Sequence, residues 1–465
     1  MKTYHYILFR LIFAALSLSS HAQEKPQVQG FVHETSEASE YVRPTDPAVC
    51  EKLDRWQDLK FGVLFHWGLY SIPGIVESWS ICSEDEDWIS RGKNLPYDEY
   101  KKWYWGLKNS FNPVNFNPEQ WANVMQDAGM KYMLFTTKHH DGFCMFDSKY
   151  TDFTIADGPF AENPRKDVAR HVFDAFRQRD FMIGCYFSKP DWHCKWYWNP
   201  YFATPRRTHN YKTEHHPEWW QKYREFTQNQ LNELMTGYGS FDILWLDGGW
   251  VTGEQIGLND ILKKARNRYP GLIAVDRLMR DENENYLTPE RGVPGEPLGC
   301  PWESCIPLSN DWGWVPDPSY KSAQQVINML CEITAKGGCL VLGVGPTPDG
   351  LIEKAVADRL HTVGTWLRVN GKAVYNTRPT ALYHDEKVWF TADKDGRTLY
   401  AIYALPEGET LPATITWTGN IPTGKMKLLK SGKTVKYSCE GKQVKVFLPR
   451  GLENEPIALE FMLKK

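Results

Sequence analysis

Between Phe61 and about Arg368 the chain repeats one theme: a short apolar run, a polar or Gly-rich break, then a segment with helical spacing. The runs are "FGVLFHWG" from Phe61, "YMLFTTKHH" from Tyr132, "FMIGCYFS" from Phe181, "FDILWLDGG" from Phe241, "LIAVDR" from Leu272 and "CLVLGVGP" from Cys339. Their nearly continuous apolar character is that of parallel strands covered on both faces. The intervening segments carry helix signals. "NPEQWANVMQDAG" opens with Asn117 as a cap and Pro118 in the first turn, and it stops at Gly129. Its Trp121, Val124, Met125 and Ala128 share one face. "RKDVARHVFDAF" repeats that spacing with Ala169, Val172, Phe173 and Phe176, and "SAQQVINMLCEITAKGG" ends at Gly337-Gly338. Alternation sustained over this length predicts an α/β fold. An irregular, TIM-like (β/α) barrel comes first, with an open doubly wound sheet as the alternative.

After Asn370 the helical period is lost. "KVWFTAD", "TLYAIYAL", "ATITWTG", "QVKVFLP" and "IALEFML" are short, β-rich and separated by turn residues, which predicts an antiparallel β-sandwich. A length of 465 residues suits such a division. The expected domains are a barrel with an amino-terminal extension over residues 23–370 and a sandwich over residues 371–465. Residues 1–22 read as a cleavable signal peptide: basic Lys2 and Arg10, the apolar "LIFAALSL", then small residues up to Ala22. That run is too short to span a bilayer, and no later stretch is long and apolar enough to do so. Export to a periplasm or the exterior is therefore expected.

The formal net charge is −3, from 54 basic and 57 acidic residues without long runs of one sign. Nucleic acid and anionic membrane surfaces are thus poor candidate partners. Ten irregularly spaced cysteines without a CxxC pair argue against a zinc ribbon or a redox site. Cys300 and Cys305 are spaced to bridge, while buried free thiols are expected for most of the others. "GVG" at Gly343–Gly345 is a poor dinucleotide signal, because Pro346 follows where a helix should open.

Reactive groups of (β/α) barrels lie at the C-terminal ends of strands. Those ends here supply His66 and Trp67; His139, His140 and Asp141; Tyr186, Ser188, Asp191 and Trp192; Asp247; and Asp276 with Arg277. Zinc would need three or four ligands, often in a fixed local pattern such as HExxH, which is absent. Neighbours on a strand point to opposite faces, so His139 and His140 share a pocket only if the strand breaks at Asp141-Gly142. No metal or other cofactor is expected. Asp247, behind large apolar residues, needs partners to remain charged. A second acid must come from a facing loop: "RDENENYLTPERGVPGEP" offers Glu282, Glu284, Glu290 and Glu296, and "CPWESC" adds Glu303. Spacing alone does not choose among them, and most must be surface charge. Paired carboxylates, histidines, an arginine and 20 tryptophans together describe a glycoside hydrolase site.

"KFGVLFHWGLYSIPG", "KHHDGFCMFDSKYTDF", "GCYFSKPDWH", "DILWLDGGW", "TPERGVP", "PWESC" and "GGCLVLGVGPTPDG", in that order, resemble the α-L-fucosidases of glycoside hydrolase family 29. The resemblance implies an irregular (β/α) barrel followed by a β-sandwich, a retaining mechanism, no metal, and a fucosylated oligosaccharide or glycoconjugate as substrate. It makes Asp247 the nucleophile and Glu290 the acid/base, with Glu284 and Glu303 as competitors. It makes His66, His139, His140, Tyr186 and Arg277 pocket groups, with Trp312 a further substrate contact. Relatives often carry a compact "EWY" after the first strand. Here the stretch is "GIVESWSICSEDEDWI", whose nearest equivalents are Glu77 and Trp79. A change in that loop would alter linkage preference or admit a related sugar, such as an α-L-galactoside. The alternatives in other classes are a non-catalytic glycan-binding protein and a metal-dependent barrel hydrolase.

Overall fold

The computed structural model describes residues 38–463 apart from residues 85 and 205. The leader predicted over residues 1–22 lies outside them. Seven parallel strands form the first sheet: β1 (Phe61–Phe65), β2 (Tyr132–Lys138), β3 (Met182–Ser188), β4 (Ile243–Asp247), β5 (Ile273–Asp276), β6 (Glu303–Pro307) and β7 (Cys339–Val344). Their spatial order is β5-β4-β3-β2-β1-β7-β6. Six of the seven coincide with the predicted apolar runs. The addition is β6, which the sequence presents as the acidic loop "CPWESC". Its apolar residues are interrupted by Glu303 and Ser304 and it lies between prolines, so it carries no strand signal of its own.

β5 and β6 do not pair directly. The gap is spanned by an irregular extended stretch over residues 284–290, through single bridges Val275–Glu284, Leu287–Trp302 and Glu290–Cys305. Asn285 N donates to Ala274 O at 2.9 Å on one side, and Cys305 N donates to Pro289 O at 3.0 Å on the other. This stretch takes the place of an eighth strand and completes an irregular barrel.

Side chains alternate along the strands, apart from an irregularity between Thr136 and Lys138 of β2. Leu64, Leu134, Tyr186, Trp245, Val275 and Val341 meet in the barrel interior. Val63, Phe65, Met133, Phe135, Leu244, Leu246 and Leu342 face the surrounding helices. Three of those helices start and stop where the sequence places them. Asn117 Oδ1 caps Gln120 N of Pro118–Asp127 at 3.0 Å, and Val168–Arg177 buries Ala169, Val172, Phe173 and Phe176. Ser322 and Gln325 form a reciprocal capping box on Ala323–Ala335.

Glu303 is not a surface acid. It is fully buried at the foot of the barrel interior. It accepts hydrogen bonds from Tyr132 OH at 2.7 Å, Trp245 Nε1 at 3.3 Å and Tyr286 OH at 3.4 Å. Burial, only partly offset by these three donors, pushes its carboxyl pKa up to about 7.

The C-terminal sheet has eight antiparallel strands, three more than the sequence signals: β8 (Thr377–Asp385), β9 (Val388–Asp393), β10 (Thr398–Tyr403), β11 (Thr414–Thr418), β12 (Pro422–Leu428), β13 (Thr434–Glu440), β14 (Gln443–Phe447) and β15 (Ile457–Leu463). β12 and β13 were missed because exposed Lys, Thr and Gly dominate them, and β8 because it is mostly half-exposed and contains Pro379. Their order is β11-β14-β13-β12-β15-β10-β9-β8. The sheet folds over on itself as a nearly closed sandwich: Phe390 of β9 meets Trp417 of β11 with ring centroids 5.7 Å apart. Asn420 Nδ2, beyond β11, donates to Leu382 O of β8 at 2.8 Å. Tyr400, Ile402 and Ala458 face the other way and join the core that covers the barrel helices. All ten cysteines are free thiols, so the Cys300–Cys305 bridge does not form.

Two predictions follow from these placements. Gly142, at φ +83°, closes the turn after β2, and a Cβ there would lie 2.2 Å from Asp191 Oδ1. Gly142→Ala combines left-handed strain with overpacking, costing about 2–4 kcal/mol; a thermal melt should show a Tm drop of several degrees. Glu303, whose folded pKa lies above the ordinary value of 4.5, favours the folded state fully at low pH. That contribution is lost as pH rises through about 7. The Tm of the wild type relative to Glu303→Gln should therefore be higher at about pH 5 than at about pH 8.

Candidate active site

The inward period of the strands continues past their ends and sorts the candidate residues. His66 lies two residues beyond Leu64, Asp247 two beyond Trp245, and Arg277 two beyond Val275. With Tyr186 they line one cavity of about 210 Å³ floored by Leu64, Trp245 and Cys305. That is smaller than the roughly 300–1,000 Å³ of pockets for drug-sized ligands and suits a single sugar ring.

Residues out of this phase point elsewhere. Asp276 is ion-paired with fully buried Lys189, and Trp67 packs on Phe111, Phe116 and Trp121. Asp191 Oδ2 lies 3.0 Å from Lys138 Nζ, and Asp141 Oδ2 accepts from Tyr104 OH at 2.7 Å. These four brace the strand ends and do not line the cavity. Trp192 stands behind the wall, edge-on to Trp79.

The two adjacent histidines both face the cavity. β2 ends at Lys138, and the chain turns at once, with Gly142 N donating to His139 O at 3.1 Å. The break thus precedes His139 and frees both rings from strand alternation; their centroids are 4.3 Å apart. His139 Nδ1 is hydrogen-bonded with Ser78 Oγ, and His140 Nδ1 with Ser188 Oγ at 2.7 Å. Burial, partly opposed by Asp247 and Glu290, lowers the His139 pKa to about 4. Burial, reinforced by His139, holds His66 well below the usual histidine range. Both rings are neutral at neutral pH. The Nδ1 of His66 has no protein partner among the described residues.

Asp247 is held by three groups. Arg277 Nη1 donates to Oδ1 at 3.0 Å, Tyr186 OH donates to Oδ2 at 2.5 Å, and His140 Nε2 lies 3.7 Å from Oδ2. Burial alone would raise its pKa. The Arg277 guanidinium, followed by His140, the Tyr186 bond and His139, outweighs that and keeps it well below the usual carboxylate range. With His139 neutral, Arg277 is the cation that matters most.

The second carboxyl at this guanidinium is Glu290, which accepts from Arg277 Nη2 at 2.8 Å and lines the cavity. The two acids are therefore no farther apart than one guanidinium and two hydrogen bonds. The other acids are elsewhere. Glu284 accepts from Leu278 N and Arg280 N, at 2.9 and 3.0 Å, and shapes its own loop. Glu303 lies at the barrel foot, and Glu282 and Glu296 are exposed.

Glu77 and Trp79 line the cavity despite the altered loop around them. Glu77 Oε1 accepts from the backbone N of Trp312 and Gly313, at 2.9 and 3.0 Å. Burial, with Asp311 adding to it, raises its pKa to about 7. It thereby seats Trp312, whose ring lies 5.1 Å from His66. Among the lining residues that the sequence does not single out are Trp245, Trp250, Leu278 and Arg207. Trp245 was accessible in principle, being in phase with Asp247 on β4. It stacks on Tyr186 at 5.1 Å and lies 4.8 Å beneath the Arg277 guanidinium. The other three sit on loops, where no period marks direction.

His139, His140 and Asp247 each offer a possible metal-ligand atom within 4.8 Å of one another. The group suits a cation poorly. Both Asp247 oxygens already accept hydrogen bonds, and a guanidinium stands 3.0 Å from one of them, where it would repel a metal ion.

The comparisons with known proteins agree with this geometry. The family profile described as alpha-L-fucosidase matches residues 29–372. Human plasma alpha-L-fucosidase is 28% identical over 376 residues, which is 76% of each chain. Alpha-L-fucosidase isoenzyme 1 of Paenibacillus thiaminolyticus is 29% identical with a TM-score of 0.74, covering 90% of this chain and 100% of that one. The Thermotoga maritima alpha-fucosidase solved in complex with fucose is 25% identical with a TM-score of 0.71, covering 91% and 98%. The chain belongs to the α-L-fucosidase family of glycoside hydrolases.

Proposed function

We propose that this enzyme is an exo-acting, retaining glycosidase that releases a terminal α-linked L-fucose from glycans, with Asp247 as nucleophile and Glu290 as acid/base. The observation that carries this reading is the single guanidinium of Arg277 bonded to both carboxyl groups at the wall of a one-ring cavity. Retention requires the two carboxyl groups only about 5–5.5 Å apart, without room for an intervening water, and a shared guanidinium supports that spacing.

In the first step an Asp247 oxygen bonds to the anomeric carbon as the glycosidic C–O bond breaks. Glu290 passes its proton to the departing oxygen. A fucosyl ester of inverted configuration results. In the second step Glu290 takes a proton from water, the water oxygen attacks the same carbon, and Asp247 leaves as the carboxylate. Two inversions restore the starting configuration. Neutral His66 and His139 suit hydroxyl groups, which donate and accept as an imidazole does. The indoles of Trp79 and Trp312 offer apolar faces to C–H bonds and to the C6 methyl. A leader of the kind read at residues 1–22 would deliver the enzyme outside the cytoplasm.

Asp247→Ala should lower kcat/KM on an aryl α-L-fucoside by about 10⁴-fold or more, with its Tm near that of the wild type. Glu290→Ala should lose about 10²–10⁴-fold on a fucosyl disaccharide. Its loss should be smaller on an aryl fucoside, whose acidic phenol departs without protonation. Proton NMR of the wild-type reaction should show the α-anomer of fucose first, and EDTA should leave the rate unchanged. An Asp247→Ala variant with near-normal turnover would overturn the assignment.

A further inference from the structure

The cavity floor is closed by Leu64, Trp245 and Cys305, so anything attached to the bound sugar must leave through the mouth. Arg207 lines the cavity from the long connection after β3, and its side chain is 25% exposed against 6% for Arg277, which places it on the solvent side, at that mouth. Its Nε and Nη2 donate to the two oxygens of Glu84, a buried carboxylate on the connection after β1. Its guanidinium lies 5.0 Å from the ring centroid of Trp79 and 5.4 Å from that of Trp250. Both indoles stand edge-on to His140, at 5.2 and 5.0 Å. The main chain is fixed as well, because Trp192 Nε1 and Tyr197 OH each donate to Arg207 O at 3.0 Å. A charged side chain is thus held rigidly, one layer of rings away from the reacting carboxylates.

Two features define what it can bind. The bidentate pair with Glu84 cancels its charge, which removes the usual attraction for an anionic ligand. Its Nη1 has no protein partner among the described residues and remains a donor. We propose that Arg207 is a specificity-determining residue for the leaving group, its Nη1 donating to a hydroxyl or ring oxygen of a neutral sugar attached to the fucose. Glu84 is the positioning residue that aims it. This rests on the fucosidase reading above.

The test compares two substrates of the purified full-length protein. One is α-L-fucosyl fluoride, whose leaving group has no sugar. The other is whichever fucosyl disaccharide, among the 1→2, 1→3, 1→4 and 1→6 linkages, the wild type cleaves fastest. Arg207→Met keeps the stem over the indoles and removes the donor. The ratio of kcat/KM for the disaccharide to that for the fluoride should fall about tenfold or more. Arg207→Lys should recover part of that ratio, and Glu84→Gln should lower it in the same direction. Equal losses on both substrates would mean that Arg207 only holds its loop, and an unchanged ratio would mean that it does not meet the leaving group. Either result overturns the proposal. A wild type that hydrolyses neither substrate would sink the fucosidase reading and the role of Arg207 with it.

Discussion

Arg277 is the group on which the site depends. Its guanidinium is buried, and such a cation is tolerated only where partners replace its water. Asp247 and Glu290 do so on Nη1 and Nη2, Thr288 accepts from Nε at 3.1 Å, and Trp245 lies beneath the plane. The inward position of Arg277 follows from the ladder: its N donates to Leu246 O at 3.2 Å, extending the β4–β5 pairing one residue beyond β5. Under the proposed mechanism the three charged groups remain neutral in sum through the cycle. Ionised Asp247 and Arg277 accompany a protonated Glu290 before attack. Once Asp247 becomes an uncharged ester, the same guanidinium is balanced by ionised Glu290, the form needed to activate water.

That arrangement requires Glu290 to approach Arg277 from a direction no regular βα unit supplies. The irregular stretch over residues 284–290 does this by pairing loosely with β5 on one side and β6 on the other. A full strand would have tied Glu290 into alternation with its neighbours. A stretch held at three bridges carries Glu290 to the cavity wall beside Arg277 while still closing the barrel. Glu284 contributes by accepting from Leu278 N and Arg280 N. These bonds stabilise a turn in which Leu278 and Arg280 both have positive φ.

The barrel's repeat and its strand-end chemistry were legible because parallel strands advertise themselves as apolar runs and because in-phase residues at their ends share a face. Asp247, Arg277, His66 and Tyr186 are readable on that basis alone. Other features carry no such mark. β6 is a strand because β7 and the 287–291 stretch hydrogen-bond to it, which is a tertiary cause and leaves no local pattern. His139 and His140 defy alternation because Gly142 permits an immediate turn. Glu303 looks like a loop acid until the three donors of the barrel interior are seen around it. Arg207 is distant in sequence from both Glu84 and the strand ends, and nothing in a single chain's text joins them.

The distribution of charge across the pocket follows one rule. Burial keeps His66 and His139 neutral, so the histidine wall adds hydrogen-bonding capacity without adding positive charge. The Arg277 cation is matched by carboxyl groups beside it, and the Arg207 cation at the mouth is matched by Glu84. A site that cancels each of these charges locally gains little by binding an anion and more by exchanging hydrogen bonds with hydroxyl groups in a partly enclosed cavity, where such bonds are stronger than in water. The preference for an uncharged, hydroxyl-rich substrate is thus a consequence of burial and pairing, from the barrel floor to the rim.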